Sequence, residues 1–160
     1  MASPLRVLNN PGINSGAVSY THLDVYKRQV TTIDGQHLTL DDLKGKVVLL
    51  DFWATWCEPC REALPHVRDI ARKFQEQPLV IMSVSLDEDE GKWKDFIAKN
   101  GMTWINYRDG GFTGPIAKMF GVEAIPHTFT IDADGVLQDE HIGDATIEGK
   151  LCLLYTSRCV

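Results

Sequence analysis

Two cysteines separated by two residues, Cys57 and Cys60, have the clearest capacity for chemistry in this sequence. Such a pair can close into a disulfide or open to a dithiol, and the thiolate is the reactive form of cysteine. The same spacing can supply half of a zinc site, which would need two further ligands at suitable spacing. The remaining cysteines, Cys152 and Cys159, lie in a C-terminal tail unlike the rest of the chain. We therefore predict a redox-active pair.

The segments on either side of the cysteines predict how the fold positions them. The apolar run Val47–Trp53 is typical of a buried parallel strand. After the pair, apolar residues recur at the spacing of a helix that buries one face: Leu64, Val67, Ile70, Ala71 and Phe74. The cysteines are thus predicted to lie where a strand passes into the N-terminus of a helix.

A helix N-terminus favours a thiolate, because it carries partial positive charge and unpaired N–H groups. Pro59 suits the first turn, where its missing N–H costs nothing. We predict that Cys57 is the exposed, attacking thiol and that Cys60, about one turn inside, is the shielded resolving thiol. Glu58 should oppose the thiolate electrostatically and make the couple more reducing.

The rest of the chain alternates strands with helices and ends in a hairpin, which predicts an α/β sandwich. A first hairpin is predicted over Val30–Leu40, before the strand and helix that flank the cysteines. After them we predict a strand over Leu79–Val84, a helix that Asn100-Gly101 ends, a short strand over Met102–Tyr107 and a helix that stops at Gly121. The chain is then predicted to form hairpin strands over Thr128–Ile131 and Val136–His141 and a last helix from Ala145. The acidic run Asp87–Glu90 permits a metal site, but it is more typical of a helix start.

Both ends of the chain differ in character from residues 30–151, which we predict to form one domain. Residues 1–29 are rich in turn-forming residues and lack periodicity. Residues 152–160 look equally foreign, and we interpret both segments as non-native extensions. The native last helix is then expected to be truncated near Leu151.

Composition excludes some classes of function. The 160 residues carry a net charge of −6, and no basic stripe interrupts the acidic domain, which argues against a nucleic-acid partner. No segment approaches the length of a membrane span, and the N-terminus lacks the apolar run of a signal peptide. The length allows a single domain with a sizeable core.

Several separate motifs, in order, resemble the thioredoxin superfamily, and within it the TlpA/ResA-like thiol–disulfide oxidoreductases. The segment Asp51–Arg61 resembles the active-site segment of the superfamily. Residues 41–46 before the strand and Leu64-Pro65 after the cysteines are closer to the TlpA/ResA branch. Residues 121–126 resemble the cis-proline loop and residues 132–135 a hairpin turn of the family. The resemblance covers roughly residues 30–151.

The resemblance implies a thioredoxin-like three-layer sandwich, with a mixed central sheet and helices on both faces. It implies a protein-disulfide reductase that needs neither a metal nor an organic cofactor. A cis peptide bond is expected between Ile125 and Pro126, facing Cys57. Ile125, Pro126 and Trp56 are expected to contact the substrate, and the backbone of Ile125 to pair with a substrate strand.

Asp51 is the one charged residue inside an otherwise apolar strand, so burial should raise its pKa. Its position six residues before Cys57 matches the buried acid of thioredoxins. The resemblance implies that it accepts a proton from Cys60, through a water molecule. Two departures accompany this match: Ser83 stands in the region where thioredoxins carry a partner lysine, and Ala63 replaces an acid found in some ResA-like proteins.

The resemblance also implies partners, a location and rival functions. The substrate would be a disulfide in another protein, such as apocytochrome c, and a membrane thiol carrier would supply electrons. The protein would be an extracytoplasmic monomer, either periplasmic or membrane-anchored. A peroxiredoxin-like peroxidase is one alternative, although Ala54 occupies the position where that class carries Thr. A copper-binding thioredoxin-fold protein is another, although only two residues separate the cysteines and His127 is the one candidate ligand nearby.

Overall fold

The computed structural model describes residues 28–143. The predicted non-native segments, apart from residues 28–29, and the predicted helix from Ala145 therefore lie outside the described residues. Within the described part of the chain there are seven strands and three α-helices: β1 (Val30–Thr31), β2 (His37–Leu38), β3 (Val47–Trp53), α1 (Glu58–Lys73), β4 (Leu79–Ser85), α2 (Glu90–Asn100), β5 (Ile105–Arg108), α3 (Pro115–Phe120), β6 (His127–Ile131) and β7 (Leu137–Ile142). A short 3₁₀ helix, Leu40–Leu43, connects β2 towards β3.

Five of the strands form a mixed sheet in the order β5-β4-β3-β6-β7. The β3, β4 and β5 strands run parallel, whereas β6 pairs antiparallel with both β3 and β7. The central strand β3 is buried along its whole length, as expected of an apolar strand covered on both faces. The predicted mixed sheet and the terminal hairpin are therefore confirmed.

Helices cover both faces of this sheet. Successive side chains of a strand point to opposite sides, so an apolar strand such as β3 has apolar side chains on both faces that must be buried. Val47 and Leu49 of β3 pack with Ile81 of β4 against Val67 and Ile70 of α1 and against Phe74, the residue that follows this helix. The alternate residues of β3 belong to a larger cluster with side chains of α2 and α3. The predicted three-layer thioredoxin-like sandwich is confirmed.

Glycine ends both α2 and α3 as the sequence predicted. Gly101 and Gly121 adopt left-handed backbone conformations, with φ of 58° and 65°. Glycine lacks the Cβ that makes this region costly for other residues, and it is the usual residue at this position after a helix. Within residues 28–143, no helix is both long enough and apolar enough to cross a lipid bilayer.

Candidate active site

The fold places the cysteine pair at the junction predicted from the sequence. Cys57 is the N-cap of α1, and the backbone N–H of Cys60 donates to its Sγ over 3.3 Å. The two sulfurs form a disulfide, with 5.3 Å between the Cα atoms. Pro59 lies in the first turn of α1, as predicted. An N–H group directed at Cys57 Sγ would stabilise a thiolate there once the disulfide opens.

The expected exposure of Cys57 is not observed. Cys57 and Cys60 are both only 6% exposed in the disulfide form. Both sulfurs are therefore buried, and neither cysteine is more accessible to solvent than the other. One loop outside α1 covers the sulfur, since the Ile125 carbonyl oxygen lies close to Cys57 Sγ. Trp56, in contrast, is 60% exposed and stands directly beside the pair.

The loop before β6 meets the cysteines from the other side. The bond between Ile125 and Pro126 is cis, as expected. Cys57 Sγ lies 3.9 Å from the Ile125 carbonyl oxygen. This approach follows from the sheet register, in which His127 at the start of β6 pairs with Phe52 near the end of β3. The structure therefore brings Cys57, Cys60 and Ile125 together.

Asp51 is buried on the face of β3 that α1 covers, since it shares the alternation of Val47 and Leu49. Burial raises the pKa of its carboxyl group from 3.8 to about 6, and a hydrogen bond from Ser83 partly opposes the rise. The Ser83 hydroxyl donates to Asp51 Oδ2 over 3.2 Å. The expected direction of the pKa change is thus confirmed, and Ser83 is identified as its neutral partner.

The acidic run marks the start of a helix, as predicted, because α2 begins at Glu90 with Asp89 as its N-cap. Asp87 precedes that helix and has a supporting role that the sequence did not indicate. It is 2% exposed and accepts hydrogen bonds from the Thr55 N–H, at 3.0 Å, and from the Thr55 and Ser85 hydroxyl groups. It therefore fixes the backbone just ahead of Trp56.

Replacement of Asp87 by alanine is expected to lower the free energy of unfolding by about 2 kcal/mol, since the buried hydroxyl group of Ser85 and the half-buried donors of Thr55 would lose their acceptor. Denaturant unfolding followed by circular dichroism measures this. The matched control is Glu88→Ala, because that neighbouring residue is exposed and should change stability by less than about 0.5 kcal/mol. Equal losses in both variants would contradict the anchoring role of Asp87.

An open cleft of about 380 Å³ is lined in part by Trp56, the residue before Cys57. Its lining includes two exposed aromatic side chains, Trp56 and Phe112, and the latter is 40% exposed. The loop between β5 and α3 carries Phe112, and no periodic pattern in the sequence points to this residue because its neighbours are glycine and threonine. The cleft therefore combines two exposed aromatic rings with charged residues that include Glu88, Asp89 and Lys92.

His127, the one candidate copper ligand near the pair, is 2% exposed and already bonded. Its Nε2 lies 2.8 Å from Glu140 Oε1, and its ring stacks on Phe129 with 4.4 Å between centroids. Burial lowers the pKa of His127, and the nearby Glu140 carboxylate opposes that change. Within residues 28–143, no group of three or more His, Cys, Asp or Glu side chains is arranged to hold a metal ion.

Residues 24–140 match the family model described as AhpC/TSA. The chain belongs to the AhpC/TSA family. Among its relatives, the thiol-disulfide oxidoreductase ResA of Bacillus thuringiensis (strain Al Hakam) is 35% identical over 119 residues, which cover 74% of this chain and 68% of ResA. The thioredoxin-like protein YneN of Bacillus subtilis (strain 168) is 34% identical over 128 residues, 76% of this chain and 73% of YneN.

Solved structures of other proteins share this fold. StoA of Bacillus subtilis superposes with a TM-score of 0.66 at 25% identity, over 77% of this chain and 92% of StoA. A thiol-disulfide oxidoreductase of Bacteroides fragilis NCTC 9343 has a TM-score of 0.72 over 79% of this chain and 96% of its own, and at 24% identity it supports the fold alone. With the Cys57–Cys60 pair, these relatives identify a thiol–disulfide oxidoreductase that acts on protein disulfides.

Proposed function

We propose that this family member works as a reductase of protein disulfides, in which Cys57 attacks and Cys60 resolves. The observation that carries the proposal is the position of Cys57 as N-cap of α1, where its sulfur receives the Cys60 N–H and faces the Ile125 carbonyl group. The helix N-terminus stabilises a thiolate on Cys57 more than one on Cys60, because Cys60 lies one turn further into the helix.

The proposed reaction is a two-electron exchange. The Cys57 thiolate attacks one sulfur of the substrate disulfide, that S–S bond breaks, and the leaving thiolate takes up a proton. Asp51 then accepts the proton of Cys60, and the new thiolate attacks Cys57 Sγ. The mixed disulfide breaks, the second substrate sulfur leaves as a thiolate that takes up a proton, and the Cys57–Cys60 disulfide remains. Asp51 then releases to water the proton that it accepted from Cys60. The substrate is reduced and the enzyme is oxidised, so an external dithiol must regenerate it.

A substrate polypeptide would lie across Trp56 and the loop that carries Ile125 and Pro126. Ile125 precedes β6, which begins at His127, and its carbonyl oxygen is directed towards Cys57. A substrate strand that pairs with this backbone would deliver its disulfide to Cys57, a form of β-augmentation. The exposed indole of Trp56 would supply apolar contact beside it.

A redox titration of the Cys57–Cys60 pair against glutathione tests the direction of the reaction. A reductase should have a reduction potential closer to the about −270 mV of thioredoxin than to the about −120 mV of a strong oxidant such as DsbA. A potential at the oxidising end of this range would contradict the proposed direction while leaving the oxidoreductase activity in place.

Replacement of Glu58 by histidine is expected to make the couple more oxidising, by about 30 mV for a tenfold change in the equilibrium constant. Glu58 is exposed in the first turn of α1, directly after Cys57, and its carboxylate opposes the thiolate. The same redox titration measures the change. The control is Glu62→His, an exposed position one turn further along α1. An unchanged potential in Glu58→His would mean that solvent screens this carboxylate.

The finer identity of partners rests on the family resemblance. We propose an extracytoplasmic monomer, periplasmic or membrane-anchored, that reduces the haem-binding cysteines of apocytochrome c and receives electrons from a membrane thiol carrier. Mixing the Cys60→Ser variant with oxidised apocytochrome c should give a covalent complex that a dithiol releases. Cell fractionation of the native host, after sequencing of the genomic locus upstream of Val30, tests the location.

The two alternative functions receive less support from the site. The Thr55 hydroxyl donates a hydrogen bond to Asp87, so it does not take the place of the threonine that peroxiredoxins carry near the peroxidatic cysteine. His127 is committed to Glu140 rather than to a copper site with the cysteines. Peroxide consumption with and without a thiol reductant tests the peroxidase, and copper titration with a His127→Ala control tests the copper protein.

A further inference from the structure

A chain of hydrogen bonds runs from Trp104 through Ser83 to Asp51. Trp104 Nε1 lies 2.8 Å from Ser83 Oγ, and Ser83 Oγ lies 3.2 Å from Asp51 Oδ2. Ser83 is fully buried and is the cross-strand partner of Asp51 in the parallel β3–β4 pair. Trp104 lies in the connection between α2 and β5 and packs against the apolar cluster beneath α1.

The chemistry of the three groups determines the direction of both bonds. An indole N–H can only donate, so the Ser83 oxygen must accept the bond from Trp104. A hydroxyl has one proton, and an ionised carboxylate can only accept. The Ser83 hydroxyl therefore donates its hydrogen bond to Asp51, and the bond from the Trp104 indole holds the Ser83 oxygen in the orientation that allows this.

We propose that Ser83 and Trp104 are positioning residues for Asp51, which together hold its buried carboxylate in the ionised form that accepts the proton of Cys60. The inference rests on the proposed role of Asp51 in resolution. In this proposal the uncharged donors Ser83 and Trp104 support Asp51, and Ser83 lies in the region where thioredoxins carry a lysine. A hydrogen bond to a charged group stabilises that charged form, so the pair offsets part of the cost of burial.

The surroundings of Asp51 leave this pair as its specific source of stabilisation. The cross-strand neighbours are Ser83 on β4 and Thr128 on β6, and neither carries a charge. From α1, the buried residues are Cys60, Leu64, Val67 and Ile70, and none of them carries a charge while Cys60 is in the disulfide. Burial raises the pKa of Asp51 and the Ser83 hydroxyl lowers it, so loss of the hydroxyl should raise it further.

Two substitutions test the proposal: Ser83→Ala removes the donor, and Trp104→Phe keeps an aromatic ring but removes the N–H. The protonation midpoint of Asp51 is measured by carbon-13 NMR of its carboxyl carbon in the resting disulfide protein, without turnover. We expect the midpoint to rise by about one pH unit or more in Ser83→Ala, and by less in Trp104→Phe. Resolution of the mixed disulfide should then fall about twofold at pH 7 in Ser83→Ala and be unchanged at pH 9.

The matched control is Thr128→Val, which changes the other cross-strand neighbour of Asp51 at nearly constant volume and should leave the midpoint in place. An unchanged midpoint in both Ser83→Ala and Trp104→Phe overturns the proposal, whatever the activity shows. A raised midpoint with an unchanged pH profile of resolution supports the action of Ser83 and Trp104 on Asp51, but it overturns the role of Asp51 as base. The two hypotheses therefore fail on different readouts.

Discussion

Replacement of Cys57 by serine is expected to abolish disulfide reduction, whereas replacement of Cys60 by serine is expected to trap the substrate as a stable mixed disulfide. A serine hydroxyl is a poor nucleophile at neutral pH, so the first variant cannot open the substrate disulfide. The second variant keeps the attacking thiol but lacks the group that breaks the mixed disulfide. Non-reducing electrophoresis and mass spectrometry of enzyme mixed with a disulfide-containing protein distinguish the two outcomes.

The assignment of roles rests on the helix cap rather than on exposure, because both cysteines are equally buried in the disulfide form. The Cys60 N–H donates to Cys57 Sγ, so the helix N-terminus supports charge on Cys57. The control is the Cys57→Ser/Cys60→Ser variant with Cys152 and Cys159 also replaced by serine, which has no thiol left and should form no covalent complex. If Cys60→Ser released substrate as readily as the intact pair, the two roles would be wrong.

The main elements of the fold could be predicted because their signals are local. The apolar run of β3, the helical spacing of α1 and the glycines after α2 and α3 each specify structure within a few residues. Boundaries were less certain where tertiary contacts decide them. The strand predicted from Met102 begins only at Ile105, where pairing with Met82 of β4 starts.

The supporting contacts of the site could not be predicted, because they join residues that are distant in the chain. Asp87 looks like a helix-start residue among its acidic neighbours, and only folding brings it to Thr55, 32 residues earlier. The bond from Trp104 to Ser83 depends in the same way on the meeting of two elements. The contact of the Ile125 loop with Cys57 likewise depends on a loop whose conformation no periodicity specifies.

Replacement of Asp51 by asparagine is expected to slow resolution of the mixed disulfide near neutral pH, while the first attack by Cys57 changes less. The amide keeps the shape of the carboxyl group but cannot accept the proton of Cys60. Since the pKa of Asp51 is raised to about 6, the wild-type base is ionised above that pH and is lost as pH falls through it. Rapid-mixing measurements of both steps between pH 5 and 9 test this, and equal resolution rates in the two proteins would leave Asp51 a structural role.

The same substitution should stabilise the protein at alkaline pH, which supplies a measurement independent of activity. A carboxyl group whose pKa rises from 3.8 in the unfolded chain to about 6 in the folded protein binds its proton more tightly when folded. Stability from this group is therefore fully present below about pH 4 and is lost as pH rises through about 6. The difference corresponds to about 3 kcal/mol at pH 8, a cost that asparagine avoids. Denaturant unfolding of both proteins at pH 5 and pH 8 should show a stability advantage of Asp51→Asn that grows with pH, and an advantage independent of pH would contradict the raised pKa.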